Sequence, residues 1–218
     1  GDAGEIDLLL RRSFNHGRTW EPATIVVSKS GWTCGNPAPV LDRETGFLWL
    51  LFCENRADGP ETLICQGLAP RTVWVTHSTD AGHTWATPKE ITGAVKLGHW
   101  SWYATGPGHG LQLPSGRLLI ACDHVVLKER SRQDPHHSHV IYSDDHGATW
   151  HLGGVLEIGT NECNAVALPD GRLCLNARNR APLPDGGNYR AVAYSADQGE
   201  SFTPVTRDSA LPEPICQA

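Results

Sequence analysis

Ser143-Asp-Asp-His-Gly-Ala-Thr-Trp150 decides the fold, because the chain repeats it. Ser13-Phe-Asn-His-Gly-Arg-Thr-Trp20, Ser78-Thr-Asp-Ala-Gly-His-Thr-Trp85 and Ser195-Ala-Asp-Gln-Gly-Glu-Ser-Phe202 share the pattern Ser-x-Asp-x-Gly-x-Thr-Trp, with starts 65, 65 and 52 residues apart. A repeat at this spacing sets the architecture before any local element does. Each copy follows a strand-like run, at 8–12, 73–77, 139–142 and 190–194, and the first is followed by another at 23–27. The copy is therefore predicted to be a hairpin turn. Its Gly can take positive φ, its Ser and Asp can bond backbone N–H groups, and its Trp or Phe can plug an apolar space.

A second kind of hairpin lies between the copies, at 40–52 around Asp42-Arg-Glu-Thr-Gly46, at 111–122 around Pro114-Ser-Gly116, and at 165–177 around Pro169-Asp-Gly171. Two hairpins per repeat make a four-stranded unit, and repeated units of this kind build a β-propeller. No 3.6-residue period interrupts the series, so the fold class is all-β. At the observed spacing the 218 residues hold about three and a half blades, and residues 1–218 are expected to be part of a larger ring whose first and last blades are incomplete or missing here. The long connections at 54–71, 92–109, 125–138 and 178–188 are rich in Gly, Pro, Trp and His, and are expected to be loops that carry function.

Composition excludes several classes. The longest apolar run is residues 47–53, far short of the roughly 20 residues that cross a bilayer as a helix. The net charge is -6, acidic and basic residues are mixed, and no polybasic stripe interleaved with aromatics offers a nucleic-acid surface. Seven Cys form no CxxC pair and are read mostly as buried thiols, which lean toward a reducing or protected setting. His136, His137 and His139 have no nearby Cys or acidic residue to complete a four-ligand set, so no metal or other cofactor is expected. Gly106-Pro-Gly108 reads as a tight turn, since no helix follows it to bind phosphate. Most of the eight Trp are expected in the core, with Trp100 and Trp102 candidates to line a sugar site.

The repeated turn resembles the Asp box of the sialidase (neuraminidase) family, six-bladed β-propellers that release terminal sialic acids. The resemblance implies that Asp80, Asp145, Asp197 and the variant Asn15 are structural turn residues. More specific stretches extend it along the chain. Asp2-Ala-Gly-Glu-Ile-Asp-Leu-Leu-Leu-Arg-Arg12, Tyr103-Ala-Thr-Gly-Pro-Gly-His109, Asn161-Glu-Cys163 and Leu175-Asn-Ala-Arg178 are similar to family segments, with the closest likeness to bacterial exo-sialidases and the lysosomal neuraminidases. Asn164 stands where Gln is usual.

What the resemblance implies is an exo-α-sialidase that hydrolyses terminal sialosides with retention. Sialic acid carries a carboxylate on its anomeric carbon, which repels a carboxylate nucleophile, and a Tyr nucleophile takes that place. Glu162 would be the base that activates the Tyr, Asp2 the acid/base on the leaving oxygen, and Arg178 one of three arginines on the substrate carboxylate. Asn36 and Gln217 would contact the sugar, with Tyr103, Asp123 and His124 in the pocket region. The nucleophilic Tyr and the other two arginines are expected outside these residues, so this stretch alone is expected to be inactive. Sialylated glycans are the expected partners, with no nucleic acid and no transmembrane segment. The sequence leaves the compartment open, and the resemblance implies an extracellular or periplasmic setting if the chain is bacterial and a lysosomal or cytoplasmic one if it is animal. Two other readings stay open at this point, a non-catalytic glycan-binding propeller and an Asp-box glycosidase acting on neutral polysaccharide with two carboxylates.

Overall fold

The computed structural model describes residues 3–129, 135–180 and 188–213. The described residues form an all-β structure of four sheets. A two-stranded sheet pairs β1 (Leu8–Leu10) with β2 (Thr24–Val27). The next sheet runs in sequence order through β3 (Trp32–Leu41), β4 (Leu48–Arg56), β5 (Thr72–Ser78) and β6 (Lys89–Glu90), with a short helix α1 (Glu61–Cys65) between β4 and β5. After α2 (Thr92–Val95) come β7 (Trp100–Thr105), β8 (Leu111–Gln112), β9 (Leu118–Val126), β10 (His136–Ser143) and β11 (His151–Val155). These form a five-stranded sheet ordered β11-β10-β9-β7, with β8 also on β9. The last sheet is β12 (Thr160–Ala167), β13 (Leu173–Asn179), β14 (Tyr189–Ser195) and β15 (Thr206–Pro212). Every pairing between these named strands is antiparallel, as consecutive hairpins require.

The sequence-based connection at 92–109 is corrected: it contains β7, the first strand of its sheet, as well as α2. Trp100, Ser101, Tyr103, Ala104 and Thr105 are all buried, so this strand lacks the polar–apolar alternation that marks a half-exposed one. None of the described helices is long and apolar enough to cross a membrane.

The four repeated turns have one geometry. In each, the Ser hydroxyl accepts the Gly N–H at 2.8 Å, and the third residue accepts the N–H of the Thr or Ser four places on. The Thr or Ser hydroxyl closes the loop on the second carboxylate oxygen. Asn15 keeps the pattern with an amide, its Oδ1 accepting from Thr19 N and its Nδ2 donating to Thr19 Oγ1 at 2.8 Å. These bonds, led by those from Thr84, hold the Asp80 carboxyl below the usual carboxylate range. The residue before Gly is also left-handed, with φ of 57°, 56°, 59° and 62° at His16, Ala81, His146 and Gln198.

These turns are also the joints between sheets. A Cβ on Gly82 would come within 2.6 Å of Leu10 in the sheet before it, one on Gly147 would collide with the Trp49 indole, and one on Gly199 would stand 2.8 Å from Leu119. Gly17 has no such neighbour, and Trp20 beside it is 54% exposed, contrary to the core role expected of it. Trp150 and Trp49 do pack in the core. Polar ties reinforce the joints. Asp42, fully buried in the β3–β4 turn, accepts from Gln112 Nε2 at 2.8 Å and from His146 Nδ1 at 2.9 Å, binding the next sheet through its β8 and its box. Arg117 forms a bidentate pair with Asp144 at 2.7 and 2.8 Å and reaches Gln198 O and Glu200 in the last sheet's box.

Gly147→Ala places a Cβ in the Trp49 indole at φ 91°, and should destabilise the protein by about 2–4 kcal/mol. Gly171→Ala has the same left-handed strain, at φ 88°, but nothing within 4 Å, and should cost about 1–2 kcal/mol. Thermal unfolding of the two variants checks the joint: equal losses would show that the Trp49 contact carries nothing.

Candidate functional site

The first strand of each larger sheet carries one extra residue at a comparable place. The register slips between Gly35 and Ala38 in β3, between Trp100 and Tyr103 in β7, and between Thr160 and Cys163 in β12. Such bulges turn side chains out of the pleat. Of the six residues they contain, Asn36, Trp102, Asn161 and Glu162 line one cavity of about 440 Å³. In the neighbouring strand the position facing the bulge is Phe52, Val125 and Arg178 in turn. Two are core residues and the third is a cation on the cavity wall.

Glu162 and Arg178, both partly exposed, meet here, with Arg178 Nη1 3.4 Å from Glu162 Oε2. An ion pair this accessible is worth no more than about 1 kcal/mol, so an incoming anion can displace it. Asn36 holds a left-handed backbone at φ 54°. Its Oδ1 accepts a short bond from Arg71 Nη2 and its carbonyl accepts from Thr105 Oγ1 at 2.5 Å.

Arg71 also lines the cavity, and nothing in its sequence context singled it out. It is 4% exposed, donates to Tyr103 O at 2.6 Å and to Asn55 Oδ1, and lies 4.2 Å from the centre of the Trp102 ring. Its hydrogen-bond acceptors are neutral oxygens, so its charge stays available to the cavity. Arg71, Arg178 and Arg180 line the cavity together with the carboxyl groups of Glu61, Asp123 and Glu162.

Asp123 lines the same cavity while almost wholly buried, and its Oδ1 has no hydrogen-bond partner. Burial, helped by the charge of Glu162 and opposed by His136 and Arg71, pushes its carboxyl up to about 7. A carboxyl that is neutral below that pH does not oppose an anionic ligand.

Tyr103 and His124 are placed otherwise than expected, and both are corrected to core residues. Asp123 pairs with Ala104 and His124 with Tyr103 across β9 and β7, so strand alternation sends the first pair to the cavity and the second to the opposite face. Tyr103 is fully buried in the main core cluster. His124 stacks on Trp100, ring centroids 3.4 Å apart, and shares a 3.0 Å hydrogen bond with His139. Burial pushes both imidazoles down, His139 to about 3. Trp100 is thus core, while Trp102 reaches the cavity. The Asp-box residues Asn15, Asp80, Asp145 and Asp197 stand outside the cavity lining. Asp2 and Gln217 lie outside the described residues. Of the six described cysteines, Cys34, Cys53, Cys122 and Cys163 are buried.

The chain matches the BNR repeat-like domain over residues 1–215. It is 37% identical over 193 residues to human sialidase-4, covering 82% of this chain and 38% of that protein. To bovine sialidase-3 it is 34% identical, covering 98% of this chain and 53% of that one, and to the sialidase of Micromonospora viridifaciens 32% identical, covering 99% and 34%. The chain therefore spans about a third to a half of the length of these relatives. Among solved structures, Hadza microbial sialidase Hz136 superposes with a TM-score of 0.81 at 27% identity, covering 99% of this chain and 43% of that one. Trypanosoma rangeli sialidase in complex with sialic acid shares the fold, with a TM-score of 0.72 at 18% identity over 93% of this chain and 33% of that one.

The buried Asp123 has a raised folded-state value, so the folded protein holds its proton where the unfolded chain has lost it. Its contribution to stability is therefore present below about pH 4 and is lost as pH rises to about 7. Asp123→Asn removes that loss. Denaturant unfolding from pH 4 to 8 should show the variant's stability relative to wild type growing by a few kcal/mol up to about pH 7 and then levelling. A difference constant with pH would place the titration elsewhere.

Proposed function

The chain belongs to the BNR repeat-like domain family, as a sialidase family member, and from that premise we propose that the protein carrying it is an exo-α-sialidase acting on terminal sialosides of glycoconjugates. One observation carries this reading: Glu162 and Arg178, from facing strands and opposite a bulge, stand as a pair in the wall of a cavity that Arg71 and Arg180 also line. A general base beside a carboxylate-binding arginine suits a substrate whose carboxylate sits on the reacting carbon. The partial sheets belong, on this reading, to a six-bladed ring.

In the proposed reaction Arg178 holds the substrate carboxylate through its planar fork of N–H groups. Glu162 accepts the phenolic proton of a Tyr nucleophile as the Tyr oxygen bonds to the anomeric carbon. The bond to the leaving oxygen breaks and Asp2 supplies that oxygen's proton. Asp2 then takes a proton from the water that attacks the anomeric carbon, while the bond to the Tyr oxygen breaks and Glu162 returns its proton to that oxygen, with net retention. Arg71 keeps Asn36 turned toward the cavity through its side-chain amide. The neutral form of Asp123 can donate a hydrogen bond to a sugar hydroxyl.

In the full-length protein, Arg178→Ala should lower kcat/KM for a fluorogenic sialoside by about 10²–10³-fold. Glu162→Gln should lower kcat by about 10²–10⁴-fold while ligand binding persists. Turnover at the wild-type level in either variant removes that residue from the mechanism. Sialoglycan binding without any turnover by the wild type would instead make this a binding propeller.

A further inference from the structure

α1 and the start of β10 bring three donor groups together. Glu61 and Cys65 are four residues apart on α1, which sets them on one face of the helix. His136, the first residue of β10, faces them, and a carboxylate oxygen, the Cys65 sulfur and an imidazole nitrogen all lie within 4.8 Å of one another. A tetrahedral ion with bonds of about 2.0–2.3 Å holds its ligands roughly 3.3–3.8 Å apart, so side-chain movements of about an ångström close the set.

The supporting frame is rigid. Ser101 Oγ donates to Cys65 O at 3.0 Å, Asn55 Nδ2 donates to Gly59 O at 3.1 Å just before the helix, and Ile64 is buried beneath it. A second observation points to a ligand: Glu61 and His136 line the same cavity as Asp123, whose buried Oδ1 has no partner. A cation here, or a water bound to it, offers that oxygen the charge or hydrogen bond it lacks.

We propose that Glu61, Cys65 and His136 form a binding site for a divalent transition cation of the zinc class, open toward the cavity. A thiolate, an imidazole and a carboxylate together suit borderline-soft Zn²⁺ and reject Mg²⁺ and Ca²⁺, which take oxygen ligands. Three protein ligands leave the fourth position to a water or to an anionic group entering the cavity. Binding displaces the thiol proton, so affinity rises with pH. The site is independent of the glycosidase reading, because its detection needs no turnover.

Titration of the purified, reduced protein with cobalt(II) chloride tests it. The expected result is a saturable near-ultraviolet thiolate-to-cobalt absorption with intense tetrahedral visible bands, both removed by an equivalent of Zn²⁺ and unaffected by excess Mg²⁺. Cys65→Ser should abolish the thiolate band, and His136→Gln and Glu61→Gln should each weaken cobalt binding at least about tenfold. Cys174→Ser, altering a half-exposed thiol elsewhere, should leave the spectrum unchanged. Glu61 is exposed, so its variant stays informative if Cys65→Ser fails to fold. No thiolate band in the folded wild type, a band that survives Cys65→Ser, or affinity unchanged in both His136→Gln and Glu61→Gln overturns the proposal.

Discussion

A small sheet with apolar side chains on both faces has no stability alone, so everything here depends on the joint where one sheet's box turn meets the sheet before it. The joint needs a residue without Cβ, because Gly82, Gly147 and Gly199 lie directly against Leu10, Trp49 and Leu119. It also needs a turn that stays shut, and the Ser and Asp side chains supply the bonds that a tight left-handed turn leaves unmade. Asp42 and Arg117 add buried or half-buried polar ties across the same seams. One motif thus closes the hairpin and sets the spacing of the sheets.

That spacing brings the bulged first strands together around a common cavity. A regular strand would bury every second residue and turn the others away, whereas the extra residue in β3, β7 and β12 turns Asn36, Trp102 and Glu162 inward at comparable places. The second strands then add Asp123 and Arg178. Polar groups from three sheets converge, and Arg71, packed among neutral acceptors, contributes positive charge without being neutralised on the spot.

The boxes and both hairpin series were legible because turn chemistry is local: Gly, Ser, Asp and Thr at fixed offsets mean the same thing wherever they occur. Glu162 and Arg178 were singled out by short motifs, and the structure places them as an ion pair in the cavity wall. The direction in which a strand residue faces was not legible where bulges shift the phase. Tyr103 and His124 therefore read as pocket residues and lie in the core, while Asp123, adjacent to His124, lies in the cavity. Arg71 was missed because its role comes from Asn36, Asn55 and Tyr103, 35, 16 and 32 residues away. The histidines were judged against their near neighbours in sequence, but the groups facing His136 sit on α1, more than 70 residues earlier.

The central claim is that the cavity assembled by the bulged strands receives an anionic sugar through Arg178. A crystal structure of the full-length protein with N-acetylneuraminic acid tests this most directly. The account predicts the sugar carboxylate in two hydrogen bonds to the Arg178 guanidinium at about 2.7–2.9 Å, with Glu162 turned from its pair toward the anomeric side. A sugar bound outside this cavity, or held within it with Arg178 still on Glu162, would contradict it.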